Sequence, residues 1–241
     1  MIIKLQSLSD ITGSLPLMSV IQTDFSFVCS ESDGVFCQEI NNEKTMLFSL
    51  RGPTATICKL SGNIDSEELS SFLEFYKITN LLSDFEIPGF SLECRTVLKA
   101  EIQQKRVKNL ISLSPESRLV DYENIFNLLS KDGEFDVWYP LFSKKVNNIC
   151  AFGVYALENG TPVSCAVAPF TANKSGVVAG VFTKESHRKK GYATKCVKNL
   201  LVDMKSNGVE EVYLWCETHN IKLYENIGFS VCGKIYVKKE E

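Results

Sequence analysis

Histidine is almost absent from this chain. The two present, His187 and His219, stand at metal-ligand spacing from no second candidate, so the sequence offers no histidine-based metal centre. Cysteine pairs at C-x-x-C spacing are missing too. The nine cysteines are scattered and odd in number, which indicates neither a zinc site nor a disulfide framework, and they read as reduced core residues. No long uninterrupted apolar run occurs, and Asp10, Gly13 and Pro16 interrupt any signal core that might follow Lys4. The expectation is a cytoplasmic protein that neither spans nor binds a membrane. Excess positive charge is the last absence: a formal net charge of -3 argues against a generic nucleic-acid binder.

What is present is an ordinary globular composition, 44% hydrophobic and 23% charged over 241 residues, enough for one large domain or two small ones with real cores. The charge is unevenly placed. Seven Lys or Arg stand between Lys184 and Lys205 against Glu185 and Asp203 alone. At the centre of this basic stretch lies HRKKGYAT, His187 to Thr194. Before it, GVVAGVFT, Gly176 to Thr183, is a β-branched apolar run that predicts a buried strand. After it, Ala193, Cys196, Val197, Leu200, Leu201 and Met204 recur at three- and four-residue steps, and Gly208 closes the pattern, which predicts a helix burying one face. A helix that begins at such a loop aims its unpaired amides and the positive end of its dipole at whatever anion the loop holds. Gly191 lets the backbone approach that anion closely, and Ala193 keeps the first turn narrow.

Arg188, Gly191 and Ala193 have the spacing of the R/Q-x-x-G-x-G/A loop, and after an alternating strand EVYLWCE, Glu211 to Glu217, comes NIKLYENIGF, Asn220 to Phe229, with Leu223, Tyr224, Gly228 and Phe229 on an LYxxxGF pattern. The two motifs, in this order, resemble the GNAT superfamily of N-acetyltransferases, well over Ala151 to Val237 and before that only by pattern. The resemblance implies an α/β (α+β) GNAT fold, a mixed, mostly antiparallel sheet flanked by helices. It implies acetyl-CoA as co-substrate, no metal, and an amine acceptor, small molecule or peptide. Monomer and homodimer both stay open. By the same resemblance Arg188, Lys189, Lys190, Gly191, Tyr192, Ala193 and Thr194 would hold the pyrophosphate, and the backbone of Val181, Phe182 and Thr183 would pair with the pantetheine arm. Tyr224 would protonate the departing thiolate. Many relatives carry a glutamate on the strand before the loop, and this strand has none; Glu217 is the leading substitute as base, with His219 and Glu185 behind it. Glu217 also stands where the family usually has an asparagine, so a coenzyme-binding or structural role is open. The alternative reading is a coenzyme A-binding sensor without catalysis.

The first half repeats the order of the second. Val35 to Ile40, Thr45 to Leu50 and Thr54 to Leu60 read as strands, Asp65 or Ser66 caps a helix through Leu69, Phe72, Leu73 and Tyr76, and Ile78 to Leu82 follows as a strand. In the second half the matching series is Ala151 to Leu157, Thr161 to Pro169, Gly176 to Thr183, the helix after Tyr192, and Glu211 to Glu217. Two tandem GNAT-like halves are therefore expected, 1–112 and 113–241, with a boundary at SLSPE, Ser112 to Glu116. The first-half junction KLSGNIDSEEL lacks the basic loop and carries Asp65, Glu67 and Glu68, so no coenzyme is expected there. The segment Asp132 to Asn148, rich in aromatics, reads either as part of an acceptor pocket or as the contact between two helices.

Overall fold

Strands alternate with short turns from residue 34 to 59, and then a capped helix returns the chain to a parallel strand; the same sequence of elements recurs from residue 152. A computed structural model describes residues 1–8, 16–27, 33–101, 109–129 and 134–238. Asp10, Gly13 and Asp132, cited above, lie outside the described residues. Contacts divide the chain into two units: residues 1–97 with 215–218 and 232–241, and residues 98–214 with 219–231. The division thus falls after Val97 rather than after residue 112, and the C-terminal residues return to the first unit.

The first unit is built from β1 (Ile2–Lys4), α1 (Met18–Ser26), β2 (Gly34–Ile40), β3 (Glu43–Arg51), β4 (Thr54–Lys59), α2 (Ser66–Phe75), β5 (Asn80–Ser83) and the start of β6 (Leu92–Glu101). Its strands run β1-β2-β3-β4-β5, antiparallel except for the parallel β4/β5 pair. Phe36, Met46, Phe48 and Ile57 from the strands bury against Leu69 and Leu73 of α2, one apolar stripe at helical spacing. Asp65 is the N-cap of α2, its carboxylate accepting from the Glu68 amide at 2.9 Å.

The second unit carries β7 (Leu110–Ser112), α3 (Leu119–Leu129), α4 (Phe135–Asn147), β8 (Phe152–Glu158), β9 (Thr161–Ala172), β10 (Ser175–Thr183), α5 (Tyr192–Ser206), most of β11 (Glu211–Cys216) and α6 (Ile221–Glu225). Its strand order is β11-β10-β9-β8-β7, with only β10/β11 parallel among these pairs. The final strand, β12 (Phe229–Lys238), begins in this unit and pairs in the first with β5, Tyr236 opposite Ser83. The segment Asn220 to Phe229 is helical in α6 only to Glu225; Gly228, at φ 111°, turns the chain and Phe229 already starts β12. Helix α5 packs its apolar stripe on β8 and β9, and ends where Gly208, at φ 86°, takes the left-handed position after the last turn. The aromatics of α4 pack on α3: Tyr139 edge-on to Tyr122 at 5.1 Å, Trp138 tilted against Phe126 at 5.4 Å. Their packing role is the one observed, since they close over Tyr155, Cys165 and Val167 in the core.

Cys37, Cys58, Cys165, Cys196 and Cys216 are buried as the sequence predicts, whereas Cys94 and Cys232 are exposed, a correction to the reading of all nine as core. Among the described residues no helix is long and apolar enough to cross a membrane, and no group of three or more His, Cys, Asp or Glu could hold a metal ion.

Candidate functional site

The two parallel strand pairs behave differently, and that difference makes the site. In the first unit β4 and β5 stay bonded to the end. Their register runs from Thr54 opposite Asn80 to Ile57 opposite Ser83, the Asp84 amide donates to the Ile57 carbonyl, and the Asp84 carboxylate accepts from the Lys59 amide at 2.9 Å and the Cys58 thiol at 3.3 Å. Burial pushes the Asp84 carboxyl up, a sign of how closed this junction is. In the second unit the β10/β11 pairing ends at Val177 opposite Tyr213, while β10 runs on to Thr183.

A bulge releases β10. Its register against β9 shifts between Val177 and Ala179 and again between Ala179 and Phe182. Gly180 lies in this stretch at φ +59°, where a Cβ would stand 2.9 Å from both Leu129 and Val167 side chains. Only glycine meets both demands. Gly180→Ala is therefore expected to lower stability by about 1–3 kcal/mol, the sum of left-handed strain and overpacking, as read by urea unfolding. A change under about 0.3 kcal/mol would mean the bulge is not built on this residue.

Beyond the bulge the end of β10 opens onto a groove of about 530 Å³, within the range of small-molecule sites. Val181 and Thr183 of β10 form one wall. Phe182, between them on the strand, points its ring instead into the α3/α4 core, and its carbonyl accepts from the Ser164 hydroxyl at 2.8 Å. The second wall is the expected loop: Arg188, Lys189, Gly191, Tyr192, Ala193 and Thr194 all line the groove. Lys190 does not; its ammonium lies 3.9 Å from the Glu158 carboxylate. The Arg188 guanidinium donates to the Thr183 carbonyl at 3.3 Å, tying the loop to the strand end.

Gly191 is the N-cap of α5 in the left-handed conformation, φ 81°, and no acidic residue occupies the first turn. The helix therefore presents unpaired amides and the positive end of its dipole with no carboxylate of its own turn to satisfy them. The corresponding helix of the first unit is the opposite case. Asp65 caps it, Glu67 and Glu68 fill its first turn, and Gln38 accepts from the Asp65 amide at 3.0 Å. The Glu68 amide already has the Asp65 carboxylate as partner, and the acids of this turn repel an anion.

Tyr224, from α6, completes the groove together with Asn220 and Leu223. It is 9% exposed, its ring edge-on to Phe229 at 5.9 Å. The structure thus brings Tyr224, Val181, Thr183 and most of the basic loop to one surface. Glu217 is not one of the lining residues; it belongs to the first unit, where its carboxylate pairs with Arg95 at 2.6 Å, and Arg95 also pairs with Glu93.

Sequence reasoning missed Asn220, which no spacing singled out, and Glu158. The Glu158 carboxylate accepts from the Tyr192 hydroxyl at 2.6 Å and meets the His187 ring at 2.6 Å. Those contacts hold the Glu158 carboxyl below the usual carboxylate range, through the Tyr192 hydrogen bond first, and push the Tyr192 phenol up.

Known proteins share this fold. The sequence profile of the Acetyltransferase (GNAT) family matches residues 119–229. Among solved structures, a GCN5-related N-acetyltransferase from Kribbella flavida is 12% identical with a TM-score of 0.64, over 95% of this chain and 97% of that one. An acetyltransferase of the GNAT family from Colwellia psychrerythraea is 11% identical with a TM-score of 0.54, over 100% of both chains. A tandem GNAT protein from the clavulanic acid biosynthesis pathway is 9% identical with a TM-score of 0.59, over 98% of this chain and 97% of that one. Identities this low speak to fold alone. No protein with a reviewed description matches the sequence. The chain has the GNAT fold, and the segment that matches the Acetyltransferase (GNAT) family profile, residues 119–229, lies largely in the unit that carries the groove.

Proposed function

We propose that this protein is an acetyl-CoA-dependent N-acetyltransferase that acetylates a primary amine. The observation that carries this reading is the meeting of Tyr224 with the acid-free first turn of α5, Gly191, Arg188 and Lys189 in one groove. The groove fits a phosphorylated, extended donor: first-turn amides and two cationic side chains at one wall, and the backbone of a released strand end at the other. Val181 and Thr183 would carry the pantetheine arm as an added strand, and Arg188 to Thr194 would hold the pyrophosphate.

In the transfer, the amine lone pair attacks the thioester carbonyl carbon, the carbon–sulfur bond breaks, and the departing sulfur takes a proton. Tyr224 supplies that proton, because a phenol is protonated at neutral pH and donates as charge develops on the thiolate. An amide at the end of β10 would face the growing oxyanion. Placement of amine and thioester together supplies much of the remaining acceleration. The amine must also lose a proton, and we assign that step to water rather than Glu217, whose carboxylate is engaged by Arg95. Glu217→Gln is then expected to keep the rate within about threefold; a loss near 10²-fold would restore Glu217 as the base.

The reading is tested by incubating the purified protein with acetyl-CoA and a panel of amines, from polyamines and aminoglycosides to peptide N-termini and lysine side chains, while following free thiol. Acceptor-dependent thiol release supports it. Tight coenzyme binding with no turnover on a broad panel would favour the sensor, which the absence of a carboxylate on β10 also suits.

The first unit is expected to bind no coenzyme. Its junction is stapled by Asp84 and its helix is capped by acids, so titration should give one coenzyme per chain. Two equal sites would contradict that account.

A further inference from the structure

One carboxylate outside the groove reaches the loop from both sides of its glycine. Glu158 ends β8 at a two-residue hairpin in which Asn159 and Gly160 both have positive φ, 52° and 78°, the geometry of a tight type I′ turn. That turn pairs Glu158 with Thr161 and fixes its place on the sheet. From there Oε1 accepts from the Tyr192 hydroxyl, just after Gly191, while Oε2 meets the His187 ring, just before Arg188, both at 2.6 Å. The other ring nitrogen of His187 is held by the Ser186 hydroxyl at 2.8 Å.

Between these two pinned points lie Arg188, Lys189, Lys190 and Gly191. Lys189 sits at φ 61° and Gly191 at φ 81°. A lysine in the left-handed region persists only where its surroundings over-determine the backbone. His187 and Tyr192 line the groove and Glu158 does not, so the carboxylate acts through them.

The geometry points to Glu158 as a positioning residue: it holds the loop in the left-handed, amide-presenting form before any ligand arrives. This rests on the loop being the coenzyme site proposed above. Two effects compete and have opposite signs. As a negative charge beside a site for a polyanion, Glu158 opposes binding, and its removal by Coulomb's law alone would tighten coenzyme affinity. As a clamp, it removes the entropy cost of ordering several loop residues at the moment of binding, so its removal would weaken affinity. Glu158 keeps 34% of its side chain exposed to solvent, which screens the first effect, and the second counts several residues, so the clamp prevails.

The test compares the wild type, Glu158→Ala, Glu158→Gln, Tyr192→Phe and Arg188→Ala in the full chain. Amide hydrogen exchange over residues 186–195 is measured without ligand, followed by calorimetric titration with coenzyme A, with the thermal midpoint as a fold control. Glu158→Ala should speed loop exchange at least about tenfold and weaken coenzyme A roughly 10- to 30-fold, without loss of the fold. Glu158→Gln keeps an oxygen for the Tyr192 hydroxyl and should restore part of both, and Tyr192→Phe should move both in the direction of Glu158→Ala. Arg188→Ala removes only the tie to the Thr183 carbonyl and should weaken coenzyme A while speeding loop exchange by less than Glu158→Ala does. Wild-type exchange in Glu158→Ala overturns the clamp, whatever the coenzyme does. A loosened loop with equal or tighter coenzyme binding overturns the positioning role, because charge removal has then won. If the wild type has no affinity for coenzyme A while Glu158→Ala loosens the loop, the coenzyme reading alone falls and the clamp is supported.

Discussion

Tyr224→Phe is expected to lower the maximal rate of acetyl transfer roughly 10²- to 10⁴-fold, the usual span for general acid–base assistance, while leaving coenzyme affinity within about threefold. The substitution keeps the ring, so the edge-on contact with Phe229 at 5.9 Å and the burial in α6 persist. Only the proton donor goes. The effect should appear in kcat and in kcat/KM alike, because the hydroxyl acts as the carbon–sulfur bond breaks and little before. Steady-state kinetics on any acceptor found by the amine panel measures it. Wild-type turnover in Tyr224→Phe would make the tyrosine a packing residue and remove the acid from the mechanism.

Gly191→Glu should be the most damaging change for the donor. A Cβ at Gly191 meets no protein atom within 4 Å, so the fold tolerates the side chain apart from left-handed strain of about 1 kcal/mol. The carboxylate would enter open space at the mouth of α5 and occupy the dipole end where the proposed function puts phosphate. Two like charges about 4 Å apart cost roughly 1–4 kcal/mol between fully aqueous and surface-protein dielectrics. With the strain added, KM for acetyl-CoA should rise on the order of 10²-fold or more. Gly191→Ala shares the strain without the charge and should cost about tenfold or less. If both variants cost the same, conformation rather than electrostatics governs the loop.

The parts of the site visible in the sequence were those written locally. The stretch from Gly176 to Met204 carries its own strand run, its glycine, its cluster of bases and its helical apolar stripe, and the structure shows each where the pattern places it. Likewise the repeated order of elements is seen as β2-β3-β4-α2-β5 and β8-β9-β10-α5-β11, since strand alternation and helix caps are short-range signals. What was hidden depends on distant partners. Glu158, in an E-N-G turn, looks like any solvated hairpin residue until folding brings it to Tyr192, 34 positions away. Asp84 is one acid after a short strand, and only the β4/β5 junction gives it the Lys59 amide and Cys58 thiol. Glu217 stands at the end of an alternating strand, and that local place says nothing of Arg95, which folding brings to it. The division after Val97 falls inside β6, where no boundary composition marks it. The short helix α1 was not foreseen because it buries polar Ser19, Gln22, Thr23 and Asp24 together with Met18, Val20 and Ile21, so its buried surface is not an apolar stripe.

The central claim is that the loop from Arg188 to Thr194 is the coenzyme site, and calorimetric titration of coenzyme A into the wild type and Gly191→Glu tests it most directly. The account predicts a single wild-type site and a Gly191→Glu variant that is folded yet binds on the order of 10²-fold more weakly. Equal binding by the two proteins, or no binding by the wild type, would contradict it.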